Sequence, residues 1–137
     1  MKIIEKSLRI SNELFPEYYG RHKPPYHFAF IYRRTKLISF GVNRPTCLCP
    51  KILYFGNRFN IDQYKKYYYP HAETDAISRC WGKVFLDKNY QMVVLRLNEN
   101  RELWESKPCE SCQVVLDKIG IRRVWHSTKK GFETYIS

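Results

Sequence analysis

The stretch HAETDAISRCWG at residues 71–82 predicts a helix, because acids lie in its first turn and Gly82 stands where a helix ends. The apolar run YQMVVLRL at residues 90–97 predicts a strand. The stretch PCESCQVVLDKIG at residues 108–120 predicts a second helix over 109–119, with Pro108 at a favoured first-turn position and Gly120 at the stop. Helix, strand and helix in succession indicate an α/β domain.

Further elements are predicted outward from this centre. They are a helix over 2–15 that Pro16 closes, a β-hairpin of 27–32 and 37–40 that ends at Gly41, and strands over 121–126 and 132–136. Only residues 127–131 separate the last two strands, which is too short for a parallel crossover. We therefore expect a C-terminal antiparallel β-hairpin.

Residues 42–70 predict a long irregular stretch, because prolines and a glycine interrupt it repeatedly. This stretch also carries Tyr67–Tyr69 beside Lys65 and Lys66. These side chains predict either a base-stacking, phosphate-binding wall or simple packing of the loop onto the domain.

The composition predicts one soluble domain over residues 1–137. The net charge is +11, and residues 1–60 hold 11 Lys/Arg against 3 Asp/Glu. Such an excess indicates a phosphate-bearing partner, with plain solubility as the alternative. Isolated basic side chains are candidates for phosphate contact, namely Arg21, Lys23, Arg33, Arg34 and Arg44.

The chain is expected to be cytoplasmic, with no membrane partner. Its N-terminus lacks the apolar core of a signal peptide, and no run of about 18 apolar residues occurs. The odd number of cysteines, 5, favours reduced thiols, some of them metal ligands.

Four residues carry the chemistry. His71, Cys109 and Cys112 form a three-ligand set for zinc and leave a fourth tetrahedral position for water. Glu73 lies about 200° around the helix axis from His71, which favours a proton carrier beside the ion over a further ligand. The alternative is a structural zinc domain with an unseen fourth ligand.

The pattern H-x-E…P-C-x-x-C is the signature of zinc deaminases. With HAETDAI, PCESC and IRRVWHSTKKGFE, the chain resembles the cytidine deaminase superfamily, and in particular compact deoxycytidylate-type enzymes, including phage and viral ones. The resemblance covers essentially the whole chain. It implies a three-layer α/β/α sandwich with a mixed five-stranded sheet.

The resemblance also implies roles for individual residues. His71, Cys109 and Cys112 would hold one zinc ion, and Glu73 would be the proton shuttle. Ala72 would offer its backbone N–H to the base carbonyl.

Other residues have two alternative interpretations each. Asn43 is expected either at the position that often faces the sugar or in a turn. Trp125 is expected either to stack on the base or to belong to the core. Cys47 and Cys49 are expected either to form a second, structural zinc site with His22 or His27, or to be reduced loop thiols.

Three functions follow from these observations. The first is a deaminase that converts a cytosine nucleotide to the uracil form. The second is a deaminase of cytosine or adenine in single-stranded DNA or RNA, which the basic first half favours. The third is a catalytically inactive zinc-containing module that binds nucleic acid. Cytosine versus adenine, ribose versus deoxyribose and oligomeric state stay open.

Overall fold

The centre of the fold is a strand that is buried on both faces. In this computed structural model, which describes residues 2–18, 26–44 and 47–136, the strand Tyr26–Arg33 pairs with two neighbours. Its side chains alternate between the two faces of the sheet, with Phe28 and Phe30 on one and Ala29 and Ile31 on the other. A strand that is covered on both sides needs apolar residues at nearly every position, as YHFAFIYR shows.

The elements are, in chain order, α1 (Lys2–Tyr18), β1 (Tyr26–Arg33), β2 (Lys36–Val42), α2 (Pro50–Phe59), α3 (Asp62–Lys66), α4 (Ala72–Cys80), β3 (Tyr90–Leu97), β4 (Leu103–Trp104), α5 (Glu110–Ile119), β5 (Arg123–Thr128) and β6 (Gly131–Ile136). The strand order is β2-β1-β3-β5-β6, and the short β4 pairs with β3. Among the strands of the described residues, only β3 and β5 pair in parallel, so the sheet is mixed. The β5–β6 pair is antiparallel, which confirms the predicted C-terminal hairpin.

Helices cover both faces of this sheet. On one face, α1 contributes Ile3 and Phe15 to a cluster with the large side chains of β1 and β3. On the other face, α2, α4 and α5 contribute the buried residues Ile52, Ile77 and Leu116. This arrangement is an α/β fold and is compatible with the predicted three-layer sandwich. No helix of the described residues is long and apolar enough to cross a membrane.

Two expectations about the elements are wrong. The sheet has six strands and not five, because β4 pairs with β3 through Arg96↔Trp104 and Leu97↔Leu103. Residues 42–70 are not one irregular stretch, because they contain α2 and α3. Pro50 begins α2 at a position where its missing N–H costs nothing.

Helix ends differ from the predictions by a few residues. Pro16 lies inside α1, where it removes one hydrogen bond near the helix end without stopping the last turn. The helix α4 ends at Cys80, and Gly82 lies in the following turn with φ 84°. Pro108 precedes the N-cap residue Cys109 and is outside α5.

Candidate metal centre

The topology places the N-termini of α4 and α5 at one edge of the sheet. Because β2 and β3 both run antiparallel to β1, they end at the same edge. The helix α4 comes after β2 in the chain, and α5 comes after β3. Near the end of β2, the buried carboxylate of Asp75 in α4 accepts hydrogen bonds from Val42 N and Arg79 Nε, both at 3.0 Å. Arg44 also pairs with this carboxylate, at 3.6 Å, so this candidate for phosphate contact has an acidic partner within the fold.

Three predicted ligands meet at these helix ends. His71 is the N-cap of α4, Cys109 is the N-cap of α5, and Cys112 follows one turn later. His71 Nδ1 lies 3.5 Å from Cys109 Sγ and 3.3 Å from Cys112 Sγ. Zinc bonds of about 2.3 Å to sulfur and 2.0–2.1 Å to nitrogen, at a tetrahedral angle, require about 3.6 Å between such donors. The observed spacing therefore fits one zinc ion held by three residues.

The charges of the two sulfurs differ. The pKa of Cys109 is lowered to about 4, because Cys112 and His71 both donate hydrogen bonds to its sulfur. Burial raises the pKa of Cys112 well above its ordinary value. Cys109 is thus a thiolate at neutral pH, and a cation that binds both sulfurs releases the remaining proton.

Tyr64, in α3, supports this donor set and was not predicted from the sequence. Its hydroxyl lies 2.9 Å from Cys112 Sγ, and its ring packs edge-on against the His71 ring, with centroids 5.8 Å apart. The side chain is fully buried. No motif marks this tyrosine, since its role depends on a helix within the stretch that reads as irregular.

Glu73 lies in the first turn of α4 and is buried, with 5% of its surface exposed. Burial raises the pKa of its carboxyl group above the ordinary value. Glu73 lines a cavity of about 210 Å³, which also contains His27, Asn43, His71, Ser106, Lys107 and Cys109. A buried carboxyl group and two of the three metal donors therefore line one small polar space.

The predicted substrate contacts divide into those that lie at this cavity and those that do not. Asn43 lines it directly. Ala72 is fully buried and follows His71 as the first residue of α4. Trp125 packs on the opposite face of the sheet, in the cluster that α1 covers, and its Nε1 donates to Gln91 Oε1 at 3.0 Å. The structure does not bring Trp125 to the donor set.

The alternative of a second, structural zinc site at Cys47 and Cys49 gains no support. In the described part of the chain, the group of three metal-donor residues is His71, Cys109 and Cys112. Cys47 is exposed and Cys49 is partly buried, each with a free thiol. His22 lies outside the described residues, as do Arg21 and Lys23.

A larger cavity, of about 540 Å³, lies at the other ends of the helices. Its lining includes Arg58 from α2, Trp81 just after α4 and Lys118 from α5. The residues that line it include no histidine, cysteine or acid, so the larger cavity has no set of metal donors like the one at the smaller cavity.

Comparisons of this chain with protein-family models, with curated proteins and with solved structures found no match.

Proposed function

We propose that this protein is a zinc-dependent hydrolytic deaminase that converts the cytosine of a nucleotide to uracil and releases ammonia. One observation carries the proposal: His71 and Cys109, two of three clustered metal donors, line the same cavity as the buried carboxyl group of Glu73. Three protein ligands leave a tetrahedral position open, which is typical of catalytic zinc and not of structural zinc. The helices on both faces of the sheet also support the three-layer arrangement that this family implies.

The protein's own residues have separate tasks in this reaction. His71, Cys109 and Cys112 would hold a zinc ion, which would supply the Lewis acidity that makes water nucleophilic at neutral pH. Glu73 takes one proton from the attacking water and delivers it to the ring nitrogen, and the bond from ring carbon to water oxygen forms. Glu73 then takes the second proton from the added hydroxyl group and delivers it to the exocyclic amine, so that the bond to this nitrogen breaks, the ring carbonyl forms and ammonia leaves.

The environment of Glu73 fits a group that both takes and gives a proton. Burial raises the pKa of this carboxyl group, so it accepts a proton more readily than an exposed glutamate does. The same burial excludes bulk water from the reacting atoms.

A second candidate is a deaminase that acts on bases within single-stranded nucleic acid. The net charge of +11 favours it. The small cavity admits one base at a time, as such an enzyme also requires. The antiparallel β5–β6 hairpin argues against it, because the branches of this superfamily that edit nucleic acid usually have a helix between these two strands.

A substrate panel tests the proposal. The zinc-loaded protein is incubated with deoxycytidine, deoxycytidine monophosphate, the corresponding ribonucleotide and a cytosine-containing oligonucleotide, and products are identified by mass. We expect the uracil form of a mononucleotide. Conversion of the oligonucleotide alone would replace the first candidate with the second. Binding of the oligonucleotide without any conversion would indicate an inactive zinc-containing module.

A further inference from the structure

The cavity beside Glu73 has a polar atom that no described residue satisfies. His27 Nε2 is buried and makes no hydrogen bond to any residue of the described chain. The hydroxyl group of Ser106, in the same cavity, already donates to Val94 O at 2.9 Å. Because buried polar groups are nearly always hydrogen-bonded, the imidazole of His27 is available to a bound molecule.

The imidazole of His27 is uncharged at neutral pH. Burial, together with the charges of Arg96 and His71, lowers its pKa from 6.5 to about 4. A neutral imidazole offers one donor and one acceptor, which suits an uncharged polar group such as the edge of a base. It is a poor partner for a phosphate, which needs a positive charge.

A positive charge is present at another part of the same cavity. Lys107 lines it and is exposed to solvent. The ion pairs found among the described residues do not include Lys107, and its ammonium group lies 5.7 Å from the centre of the Tyr135 ring. Its charge is therefore free to meet an anion at the cavity mouth.

The cavity is too small to enclose a whole ligand that meets both His27 and Lys107. Its volume of about 210 Å³ is below the range of about 300–1,000 Å³ that is usual for sites enclosing a whole small molecule. It encloses one part of a ligand and leaves the rest at the mouth. A molecule with an uncharged polar ring inside and an anionic group outside fits this arrangement.

We propose that the site selects a nucleotide over a nucleoside, with the base hydrogen-bonded to His27 and the phosphate paired with Lys107. This inference rests on the proposed deaminase function, and assigns its substrate class and two binding residues. A terminal phosphate of a free nucleotide and a phosphate within a polynucleotide offer the same charge. Turnover of a cytosine oligonucleotide compared with that of the mononucleotide separates these two sources.

The test compares kcat/KM for deoxycytidine monophosphate and for deoxycytidine. For the wild type, we expect the nucleotide to be preferred by about tenfold or more, as one charge-assisted hydrogen bond provides. Lys107→Gln should lower this preference about tenfold, and Lys107→Arg should restore most of it. The matched control is Lys88→Gln, an exposed lysine just before β3, at the opposite edge of the sheet, and it should leave the preference unchanged.

His27 variants should behave differently. His27→Phe should lower kcat/KM for both compounds by about three- to tenfold, as the loss of one uncharged hydrogen bond predicts, and should leave their ratio nearly constant. His27→Gln keeps a polar side chain and should lose less. Circular dichroism and zinc content identify any variant that misfolds.

The outcomes separate this inference from the proposed function. Equal turnover of nucleotide and nucleoside, or equal effects of Lys107→Gln and Lys88→Gln, would overturn the phosphate contact and leave the deaminase intact. Faster turnover of a cytosine oligonucleotide than of the mononucleotide would overturn the free-nucleotide assignment. If neither compound reacts, the proposed function fails, and calorimetry of both with wild type and Lys107→Gln still decides whether Lys107 selects the phosphate.

Discussion

At the scale of single residues, the two cysteines of the donor set differ in exposure and in charge. Cys112 is fully buried, whereas Cys109 is exposed and has a pKa near 4. A substitution at Cys109 therefore removes a metal ligand with little disturbance of the core. Cys47 offers a comparison, because it is exposed and belongs to no donor group of the described residues.

Cys109→Ser should lose bound zinc, while Cys47→Ser should keep about one ion per chain, as the three-ligand site requires. The Cys109 variant should also unfold at a lower temperature, since a metal that binds only the folded state stabilises it. Metal analysis and thermal unfolding of both purified variants measure these effects. Full zinc in Cys109→Ser would remove this cysteine from the site.

His27 gives the folded state a defined pH dependence. Its pKa is about 4 in the fold and 6.5 ordinarily, so the unfolded chain binds more protons between these values. The free energy of unfolding should therefore fall as pH falls from 6.5 towards 4, by at most about 1.4 kcal/mol per unit from this residue.

The contribution of His27 is isolated by a difference measurement. Denaturant unfolding of wild type and His27→Gln at several pH values should give curves that converge as the pH falls. The free energy of unfolding of the wild type falls because the buried imidazole must become charged, whereas the variant has no titratable group at this position. Parallel curves over this range would contradict the buried, neutral state of His27.

The residues that the sequence could predict are those in short motifs. His71, Glu73, Cys109 and Cys112 have fixed spacings within two helix starts, and the structure brings all four together. His27, Tyr64 and Lys107 were not assigned to this site, because their proximity depends on strand pairing and on a helix that the sequence did not indicate.

At the scale of elements, the close contact between β2 and α4 fixes the metal centre. A Cβ atom added at Gly41 would lie 2.3 Å from Ala76 N and 2.5 Å from Ala72 O. Only glycine allows the strand to approach the helix backbone this closely. The first turn of α4 carries both His71 and Glu73 on their side of the cavity, so its position depends on this glycine.

Gly41→Ala should lower the free energy of unfolding by at least about 1–3 kcal/mol, because the helix must move away from the strand. It should also weaken zinc binding, since His71 moves with α4. Lys36→Ala, at an exposed position of the same strand, serves as the control and should change neither quantity. Denaturant unfolding and zinc titration measure the two effects. Unchanged stability in Gly41→Ala would contradict this packing.

Elements were predictable where one periodic pattern extended over the whole segment. The strand over 90–97 was predicted with its observed bounds. The helix α2 was missed because Pro50 and Gly56 read as interruptions. In the structure Pro50 begins the helix, and Gly56 is buried where its absent side chain allows contact with Tyr64. The prediction missed α2 because this helix depends on tertiary packing, which no local sequence pattern encodes.

At the scale of the whole molecule, charge and topology point to different partners. The net charge of +11 attracts polynucleotides at low salt. The antiparallel β5–β6 pair argues against a polynucleotide substrate. The chain order of helices and strands indicated the α/β class, but β4 was missed because two residues are too short to give a pattern.

The salt dependence of binding separates these partners. The Glu73→Ala protein should bind a cytosine oligonucleotide weakly, because it contacts few of the phosphates. Each contacted phosphate lowers log affinity by about 0.7 per unit of log salt concentration. Fluorescence anisotropy over a salt series gives the slope. A slope magnitude of about 3 or more would indicate a polynucleotide held along a groove and would contradict the mononucleotide account.

The central claim is that Glu73 moves protons at a zinc site, and Glu73→Gln tests it most directly. Gln has nearly the same shape but cannot carry the proton. Zinc content and conversion of deoxycytidine monophosphate are measured on the same samples of wild type and variant. We predict equal zinc and a loss of turnover of at least about 10²–10⁴-fold in the variant. Turnover by Glu73→Gln within a few-fold of the wild type would contradict the account.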